Sequence, residues 1–385
     1  NYQWLCAGNV NLFDMAEDFT LNLNGSFDLK KSATNGCGTD CDLFEADNQP
    51  GMRLEHYLTT DYWIVRTADG NIYRFGYYED SQQILYRARH VNNDPKKFAV
   101  YKWSLDRLVD PHSNEMVILY ADDEASGADA CLNGSCREVD HWPVTIRYNN
   151  SVTNPDRQIA NHWKAEVNFS WSAVGNAVTG GAPIFRTRRA LNDIAIRTRN
   201  EAGVWWDKWH YNINQREIPC PPGVGVYCSN TAVRRVIDSI QRIESSGAAW
   251  PAVTFEYVDH GVGCQVCSQT DPNYYVYQYP HLKRVRNGYG GVFEFDYASV
   301  GGSQGRTSWR VTALKSWDGV DEIYGVDNPT RRQEFSYGTT CFHQYTSGCY
   351  SGSGSESFIL VGHSNTYVKT YEYDGATKIL LSHDQ

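Results

Sequence analysis

The sequence predicts an all-β protein built from repeated antiparallel β-hairpins, with few or no helices. Three observations support this prediction. Aromatic residues make up 14% of the 385 residues, with 26 Tyr and 12 Trp, and these side chains suit half-buried, pleated surfaces. Short turn sequences separate runs in which apolar and polar residues alternate, and one such run, ending in an aromatic residue, recurs along the chain.

Two stretches in the first third of the chain predict hairpins. In residues 62–75 (YWIVRTADGNIYRF), two β-rich runs flank Asp69 and Gly70. An Asp-Gly pair between such runs favours a hairpin, because glycine tolerates the positive φ that the turn requires. Residues 103–120 repeat this arrangement around the turn sequence DPHSN at 110–114.

The second half of the chain carries the same signals. Residues 282–297 contain Asn287 and Gly288 between two strand-like runs. Residues 233–244 (VRRVIDSIQRIE) fit the apolar spacing of a helix, but also a bulged strand. We favour the strand, because the segment is rich in β-branched residues and its surroundings are strand-like.

The recurring run alternates apolar and polar residues and ends in an aromatic residue. It occurs as VTIRY (144–148), VNFSW (167–171), DKWHY (207–211), VTFEY (253–257), FEFDY (293–297), QEFSY (333–337) and TYEYD (370–374). From Trp171 to Tyr373 the aromatic residues lie 40, 46, 40, 40 and 36 residues apart. This spacing indicates a repeated unit: a strand, a turn or inserted loop, and an aromatic-ending strand.

No charge run or low-complexity linker divides the chain. Residues 122–136 are the most loop-like stretch, and residues 351–355 form a short Gly/Ser tract. Strand signals are sparser before residue 61. We therefore predict a lead-in region over residues 1–60 and a β-hairpin repeat region over residues 61–385.

Charge and hydropathy exclude several classes of protein. The formal net charge is −10, from 45 acidic and 35 basic residues, whereas a nucleic-acid binder needs a basic surface. No run approaches the roughly 18 apolar residues of a membrane span, so we expect no membrane insertion. The chain begins with Asn1 and has no recognisable signal peptide. We therefore expect a mature product or a piece of a longer chain, whose partners are the remainder of that chain or copies of itself.

The eleven cysteines indicate the compartment. Ten fall into close pairs in loops that contain Gly, Ser or Pro: Cys37/Cys41, Cys131/Cys136, Cys220/Cys228, Cys264/Cys267 and Cys341/Cys349. Local disulfides produce this pattern and persist in oxidising surroundings, so we predict a secreted, extracellular or cell-surface protein. Cys264 and Cys267 also have the spacing of zinc ligands, although no second ligand pair follows them. Cys6 is left unpaired, as a buried thiol or a link to another chain.

Several stretches, taken in order, resemble the RHS/YD-repeat family, specifically the region before its regular YD repeats. They are YWIVRTADGNIYRFG (62–76), WSLDRLVDPHSNEMVILY (103–120), PAVTFEYVD (251–259), LKRVRNGYGGVFEFDY (282–297) and YEYDGATKIL (371–380). In this family, which includes toxin-complex components and teneurins, such hairpins wind into a spiral sheet that can close as a shell. The resemblance implies a curved spiral sheet, part of a YD-like shell. Only Tyr373-Asp374-Gly375 approaches the strict YD repeat, and no self-cleaving core segment or C-terminal toxin is visible.

The motifs for chemistry are weak, and we predict no catalytic residue. Residues 301–305 (GGSQG) match the nucleophile elbow of hydrolases, but a strand pattern follows where the elbow needs a helix. Candidate carboxylate pairs for glycoside hydrolysis are numerous, as chance predicts for a chain with 45 acids. We expect no cofactor, with one weak alternative: Asp122, Asp123 and Asp129, beside Glu124, carry the hard oxygens that Ca²⁺ prefers.

A cluster of tryptophans leaves two interpretations open. In an alternating strand, Trp205 and Trp209 lie on one face and Trp206 on the other. The three rings either pack in the core or form a platform on which a glycan stacks.

The sequence therefore favours a non-enzymatic structural module: part of a secreted or cell-surface shell, fibre, scaffold or filament. One alternative is an adhesin that binds glycan or protein through exposed aromatic residues. The other is a carbohydrate-active hydrolase, which requires two carboxylates converging in an aromatic-lined cleft.

Overall fold

The fold consists almost entirely of antiparallel strands. The computed structural model describes residues 19–33, 36–87, 97–124, 131–132, 135–136, 138–150, 152–153, 155–174, 189–218, 234–262, 277–301, 307–320, 323–325, 328–337, 340–343, 349–350, 359–363, 366–374 and 377–384. These residues contain 27 strands and two three-residue 3-10 helices. The chain divides into two compact units, Asn1–His210 and Tyr211–Gln385. The predicted all-β class with few or no helices is confirmed.

The first unit begins with a run of short strands. They are β1 (Phe19–Asn22), β2 (Ser26–Lys31), β3 (Cys41–Ala46), β4 (Arg53–Tyr57), β5 (Tyr62–Arg66), β6 (Ile72–Phe75), β7 (Gln82–Arg87), β8 (Lys97–Trp103) and β9 (Leu105–Val109). The longer strands that follow are β10 (Glu115–Glu124), β11 (Cys131–Leu132), β12 (Ser135–Cys136), β13 (Glu138–Asn150), β14 (Trp163–Ala173) and β15 (Arg189–Arg199). The 3-10 helices are Glu79–Ser81 and Ala160–His162. The division between the units falls inside β16 (Trp205–Ile218).

Antiparallel pairing runs without a break through most of this unit. It follows the order β1, β2, β3, β4, β5, β6, β9, β10, β13, β14, β15. β7 and β8 form a separate hairpin, and so do β11 and β12. Because each strand pairs with neighbours that are close in sequence, the ladder grows by adding one hairpin after another.

The second unit repeats this plan. Its strands after β16 are β17 (Arg234–Glu244), β18 (Val253–Val262), β19 (Tyr277–Arg286), β20 (Val292–Gly301), β21 (Thr307–Trp317), β22 (Arg331–Tyr337), β23 (Thr340–His343), β24 (Cys349–Tyr350), β25 (Ile359–His363), β26 (Thr366–Asp374) and β27 (Thr377–Asp384). The ladder order is β17, β18, β19, β20, β21, β22, β26, β27. β23 pairs with β24 and β25 in a small separate sheet.

The predicted hairpins are confirmed as β5–β6, β9–β10 and β19–β20. Gly70 and Gly288 have φ values of +86° and +78°, the conformation for which glycine was expected in these turns. Residues 234–244 form the strand β17, which confirms the strand interpretation of that segment.

The loop interpretation of residues 122–136 is wrong at both ends of the stretch. β10 continues to Glu124, with Asp122 opposite His141 and Asp123 opposite Asp140, and Cys131–Cys136 contribute β11 and β12. Cross-strand pairing overrides the polar composition that suggested a loop. The expected boundary after residue 60 falls in the turn between the paired strands β4 and β5, and the lead-in region stays a prediction.

Connections alternate between the two ends of the strands, because every strand reverses the direction of the one before it. In the second unit, one set follows β17, β19 and β21 and comprises residues 245–252, 287–291 and 318–330. The other set follows β18, β20 and β22 and comprises residues 263–276, 302–306 and 338–365. The second set contains both cysteine pairs that follow β17, namely Cys264/Cys267 and Cys341/Cys349.

The main apolar core of the first unit lies on one face of its short strands. Leu54 is opposite Val65, and Trp63 is opposite Phe75, so alternation places all four on the same face. Leu54 and Val65 are at most 1% exposed, and burying one such side chain stabilises a fold by about 1.5–3 kcal/mol. The Phe19 ring packs edge-on against Trp63, with 5.0 Å between ring centroids.

A side-chain hydrogen bond recurs between an aromatic residue and the strand that precedes it in the ladder. In five strands the terminal aromatic side chain donates a hydrogen bond to a backbone carbonyl of the preceding strand. The pairs are Tyr120–Leu105 (2.8 Å), Trp171–Pro143 (2.8 Å), Tyr257–Ile237 (2.9 Å), Tyr297–Leu282 (2.7 Å) and Tyr337–Val311 (2.6 Å). We call this contact the aromatic clasp.

Four of the five clasps coincide with an irregularity in the ladder. The register with the following strand shifts immediately before Tyr120, Trp171, Tyr257 and Tyr297, as a β-bulge produces. Three of the aromatic-ending runs read from the sequence, at Trp171, Tyr257 and Tyr297, therefore combine a bulge on one side of the strand with a clasp on the other.

Candidate functional site

The predicted tryptophan platform presents one exposed ring. Trp206 is 57% exposed, whereas Trp205 and Trp209 are half-buried. The Arg197 guanidinium lies over the Trp205 ring, 5.0 Å from its centroid, so that ring already has a cation partner. Within this cluster, Trp206 is the ring exposed enough for stacking, and the glycan role of the cluster stays a prediction.

A contiguous group of tyrosines, which the sequence analysis did not single out, lies in the first unit. Tyr57 and Tyr62 stack in parallel at 4.6 Å between centroids, and Tyr62 meets Tyr77 edge-on at 5.0 Å. Tyr77 contacts Tyr78 edge-on at 5.0 Å and is 45% exposed. We call these four residues the tyrosine surface. The pairing of Tyr57 with Tyr62 across the β4–β5 turn was readable from a hairpin register, but their meeting with Tyr77 and Tyr78 was not.

A buried carboxylate supports the tyrosine surface from below. Asp106 is fully buried and accepts hydrogen bonds from Arg74 Nε (2.6 Å), the Tyr77 amide (2.7 Å) and the Ser81 hydroxyl (3.2 Å). Burial raises the pKa of Asp106, and the Arg74 charge opposes this shift. The Arg74 guanidinium also lies 4.1 Å from the Tyr77 ring centroid. Because no substrate can reach a fully buried carboxyl group, its chemistry here is positional: it fixes the segment that carries Tyr77 and Tyr78.

Asp80 continues this polar network towards β10 and β13. Its carboxylate binds Arg157 Nη2 at 2.8 Å, and its backbone carbonyl accepts a hydrogen bond from His141 Nε2 at 2.8 Å. The His141 ring stacks on Tyr120, with 4.5 Å between centroids. Burial lowers the pKa of His141 and raises that of Tyr120, so both rings stay neutral over the physiological range.

In the middle of the first-unit ladder, one buried acid bridges two arginines. Glu166 on β14 lies opposite Arg147 on β13 and Arg197 on β15. It is fully buried, binds Arg147 Nε at 3.1 Å, forms an ion pair with Arg197 and accepts a hydrogen bond from Asn168 at 2.9 Å. Burial alone would raise the pKa of Glu166, but the Asn168 and Arg147 hydrogen bonds and the Arg197 charge lower it.

The second unit contains a similar row of alternating charges. Arg284 Nη1 binds Glu256 and its Nη2 binds Glu294, both at 2.6 Å. Lys315 approaches Glu294 at 3.4 Å. Tyr324 covers this row: its hydroxyl donates to Glu294 at 2.6 Å, and its ring lies 4.3 Å from the Arg284 guanidinium carbon. Despite burial, the Tyr324 and Arg284 hydrogen bonds lower the pKa of Glu294.

Glu166 and Glu294 do not suit the general-acid role of a glycosidase. A general acid must hold its proton near neutral pH, which requires a raised pKa, whereas Glu166 and Glu294 have lowered pKa values. A cleft of about 600 Å³ beside β3 has two further carboxylates in its lining. Both have partners, since Asp47 pairs with Lys30 at 2.8 Å and Glu45 accepts a hydrogen bond from Ser32 at 3.0 Å. Ser303 of the elbow-like motif lies outside the described residues.

The structure describes one predicted cysteine pair completely. Cys37 and Cys41 form a disulfide, with 5.6 Å between their Cα atoms. Cys131 and Cys136 lie opposite each other on β11 and β12. Cys341 is on β23, and Cys349 on β24 lies opposite His343. The other predicted positions, namely Cys6, Cys220, Cys228, Cys264 and Cys267, lie outside the described residues.

The weak calcium candidates are only partly described. Asp122 and Asp123 belong to β10, and Asp129 lies outside the described residues. Over the described ranges, no group of three or more His, Cys, Asp or Glu side chains is arranged to hold a metal ion. Calcium binding stays a prediction. In the same part of the chain, no helix has the length and apolar character needed to cross a bilayer.

Comparison with solved structures gives a set of distant similarities. The chain is similar to TcdB2-TccC3-Cdc42 (12% identity, TM-score 0.37, 89% of this chain and 17% of that chain) and to TcdB2-TccC3 (9% identity, TM-score 0.37, 94% and 23%). It is also similar to the N-terminal domain of effector protein SpvB from Salmonella typhimurium strain LT2 (13% identity, TM-score 0.34, 55% and 78%). This chain spans less than a quarter of the length of the TcdB2–TccC3 chains. No protein-family model and no curated protein matches the sequence.

Proposed function

We propose that the chain is a structural wall module, a segment of a larger secreted or cell-surface shell, fibre or scaffold. The observation that carries this proposal is the row of charges paired across neighbouring strands, above all Arg147–Glu166–Arg197. Such a row joins neighbouring strands on the polar face of a sheet by pairing opposite charges across them. The RHS/YD-repeat resemblance of the sequence points the same way.

The mode of construction supports this function. Each strand of the two ladders pairs with its neighbours only, so stability is approximately a sum of nearest-neighbour terms, as in repeat proteins. The aromatic clasps add one side-chain bond per repeat between adjacent strands. A ladder of this kind can be extended by further hairpins, from the remainder of a longer parent chain or from copies of the module.

The location in an oxidising compartment is part of the same proposal. It is supported by the Cys37–Cys41 disulfide, because disulfides are rare in reducing compartments. A non-enzymatic role is part of the same proposal, and the engagement of Glu166 and Glu294 in ion pairs with neighbouring strands favours it.

Hydrogen exchange combined with an activity screen tests the proposal. We expect slowly exchanging amides along both ladders, as a continuous wall requires, and no turnover of chromogenic pyranosides at neutral or acidic pH. Glu294→Gln and Glu45→Gln variants serve in the same screen. Turnover by the natural chain that either substitution abolishes would overturn the structural proposal in favour of a hydrolase.

A binding module is the second candidate function, and the tyrosine surface favours it. Tyrosine rings offer rigid contact area at low entropic cost and a polar hydroxyl at the rim. We expect that, if the chain binds glycans, Tyr77→Ala weakens binding on an immobilised glycan panel more than Leu58→Ala does. Leu58 is the matched control because it is 47% exposed, like Tyr77 at 45%, but carries no ring. Trp206→Ala tests the exposed ring of the tryptophan cluster in the same assay. Equal binding by all four proteins would remove this candidate.

A further inference from the structure

We propose that the Cys37–Cys41 disulfide is a redox-controlled latch on the turn between β4 and β5, residues 58–61. In this proposal, reduction frees the outer part of the turn without unfolding the sheet. The proposal goes beyond the wall function, and would hold equally for a binding module.

The disulfide lies where the chain enters the sheet. Cys41 is the first residue of β3, is 2% exposed and is opposite Tyr57, the last residue of β4. Cys37 is half-buried, which makes its sulfur the more accessible of the two. The residues between the cysteines are therefore held in a closed loop beside the β4–β5 turn.

Asp40, inside this closed loop, holds the turn directly. Its backbone carbonyl accepts the Leu58 amide at 3.1 Å. Its carboxylate accepts both the Thr59 amide (3.0 Å) and the Thr59 hydroxyl (2.5 Å). Asp40 is exposed. Its position is fixed on one side by β3, which begins at the next residue, and on the other side by the loop that the disulfide closes.

The far end of the turn is anchored independently. The Asp61 carbonyl accepts hydrogen bonds from Trp103 Nε1 (2.8 Å) and Gln82 Nε2 (3.0 Å). The Asp61 carboxylate binds His56 Nε2 at 2.8 Å. These bonds join the turn to the core and do not involve the disulfide loop. Reduction should therefore loosen Leu58 and Thr59 while leaving Asp61 in place.

The redox step uses a dithiol as reductant. One thiolate of the dithiol attacks Cys37 Sγ, the sulfur–sulfur bond breaks, and Cys41 leaves as a thiolate that takes up a proton. The second thiol of the reductant then displaces Cys37 and closes a cyclic disulfide, so the protein gains two electrons and two protons. Once open, the loop can move and the stacked Tyr57–Tyr62 pair beside the turn loses one of its supports.

Hydrogen exchange of individual amides, measured with and without dithiothreitol, tests the latch. We expect exchange at Leu58 and Thr59 to accelerate by about 30-fold, the loop-entropy effect of opening so short a closed loop. The Gly70 amide, bonded to the Thr67 carbonyl in the β5–β6 turn at 2.9 Å, is the control and should not change.

Two variants separate this disulfide from the other cysteines. Cys37→Ser, at the half-buried position, should show fast exchange at Leu58 and Thr59 with no reductant present, and dithiothreitol should then add nothing. Asp40→Ala removes the carboxylate but keeps the backbone carbonyl, so with the disulfide intact it should speed exchange at Thr59 and leave Leu58 unchanged. Unchanged exchange at Leu58 and Thr59 on reduction would overturn the proposal. So would acceleration at Gly70 to the same degree, because the disulfide would then support the whole unit and not one turn.

Discussion

Replacing Glu166 with glutamine probes the buried charge row on which the wall proposal rests. Glutamine keeps the size of the side chain and one acceptor oxygen, but it removes the negative charge and replaces the second acceptor with an NH2 donor. Arg147 and Arg197 would then face each other across β14 without a counter-ion. Their side chains are 13% and 35% exposed, so water can solvate Arg197 only in part and Arg147 hardly at all.

The expected cost is about 3 kcal/mol. Removing one partner of a buried ion pair typically costs roughly 3–5 kcal/mol, because an uncompensated charge stays buried. The partial exposure of Arg197 places this case at the low end. Since the lowered pKa means that the folded chain holds Glu166 ionised more strongly than the unfolded chain does, its stabilising contribution is present above pH 4.5 and is lost as pH falls below it. The glutamine variant should lack this acid-dependent loss.

Glu334→Gln is the matched control. Glu334 also bridges two cations, Lys378 at 2.6 Å and Arg332 at 3.0 Å, but its side chain is 32% exposed, so we expect a loss below about 1 kcal/mol. Urea denaturation should be followed by hydrogen-exchange mass spectrometry of peptides from each unit, so that the two units are scored separately. Equal losses in the two variants, or an acid limb that persists in Glu166→Gln, would refute the reasoning.

Two further predictions concern the clasp and a close turn. Tyr297→Phe removes the 2.7 Å hydrogen bond to the Leu282 carbonyl and should lower the free energy of unfolding, measured by urea denaturation, by about 1–2 kcal/mol. Because burial raises the pKa of Tyr297, the stability of the natural chain should also fall above pH 10 more steeply than that of the variant. A loss no larger than for Tyr289→Phe, at a 58% exposed turn position, would speak against the clasp. Gly319→Ala should destabilise the second unit strongly, because a Cβ there would lie 2.2 Å from the Gly290 carbonyl carbon. Gly325→Ala is the control, since Gly325 has a similar φ of +87° but no atom within 4 Å of the added Cβ. It should cost only backbone strain of about 1 kcal/mol. Similar melting temperatures for the two glycine variants would show that the close approach of the two turns does not matter for stability.

Local features of this chain were predictable because their physics is local. The β5–β6 and β19–β20 hairpins follow from glycines that supply positive φ between alternating runs. The strand at β17 follows from β-branched residues in a strand-like context. The repeat of aromatic-ending runs was also visible, although its cause, a bulge paired with a clasp, depends on which carbonyl lies across the neighbouring strand.

The contacts of the candidate sites were not predictable, because they join residues that are far apart in the sequence. Asp106 meets Arg74 across 32 residues of sequence, and Tyr324 meets Glu294 across 30. Nothing in the composition of either segment indicates its partner. The length of β10 was likewise hidden, because acidic residues at a strand end resemble a loop until the opposite strand is known.

The alternation of connections between the two strand ends has a practical consequence. In the second unit, the strands that flank the segments after β18, β20 and β22 pair with each other in a defined register: β18 with β19, β20 with β21, and β22 with β26. Foreign peptides, epitope tags or fluorophores grafted into these segments should leave the strand register intact, whereas the five-residue turn after β19 carries the tight glycine contacts and should reject them. The connections at one end of the strands of this unit should therefore tolerate changes of sequence, and those at the other end should not.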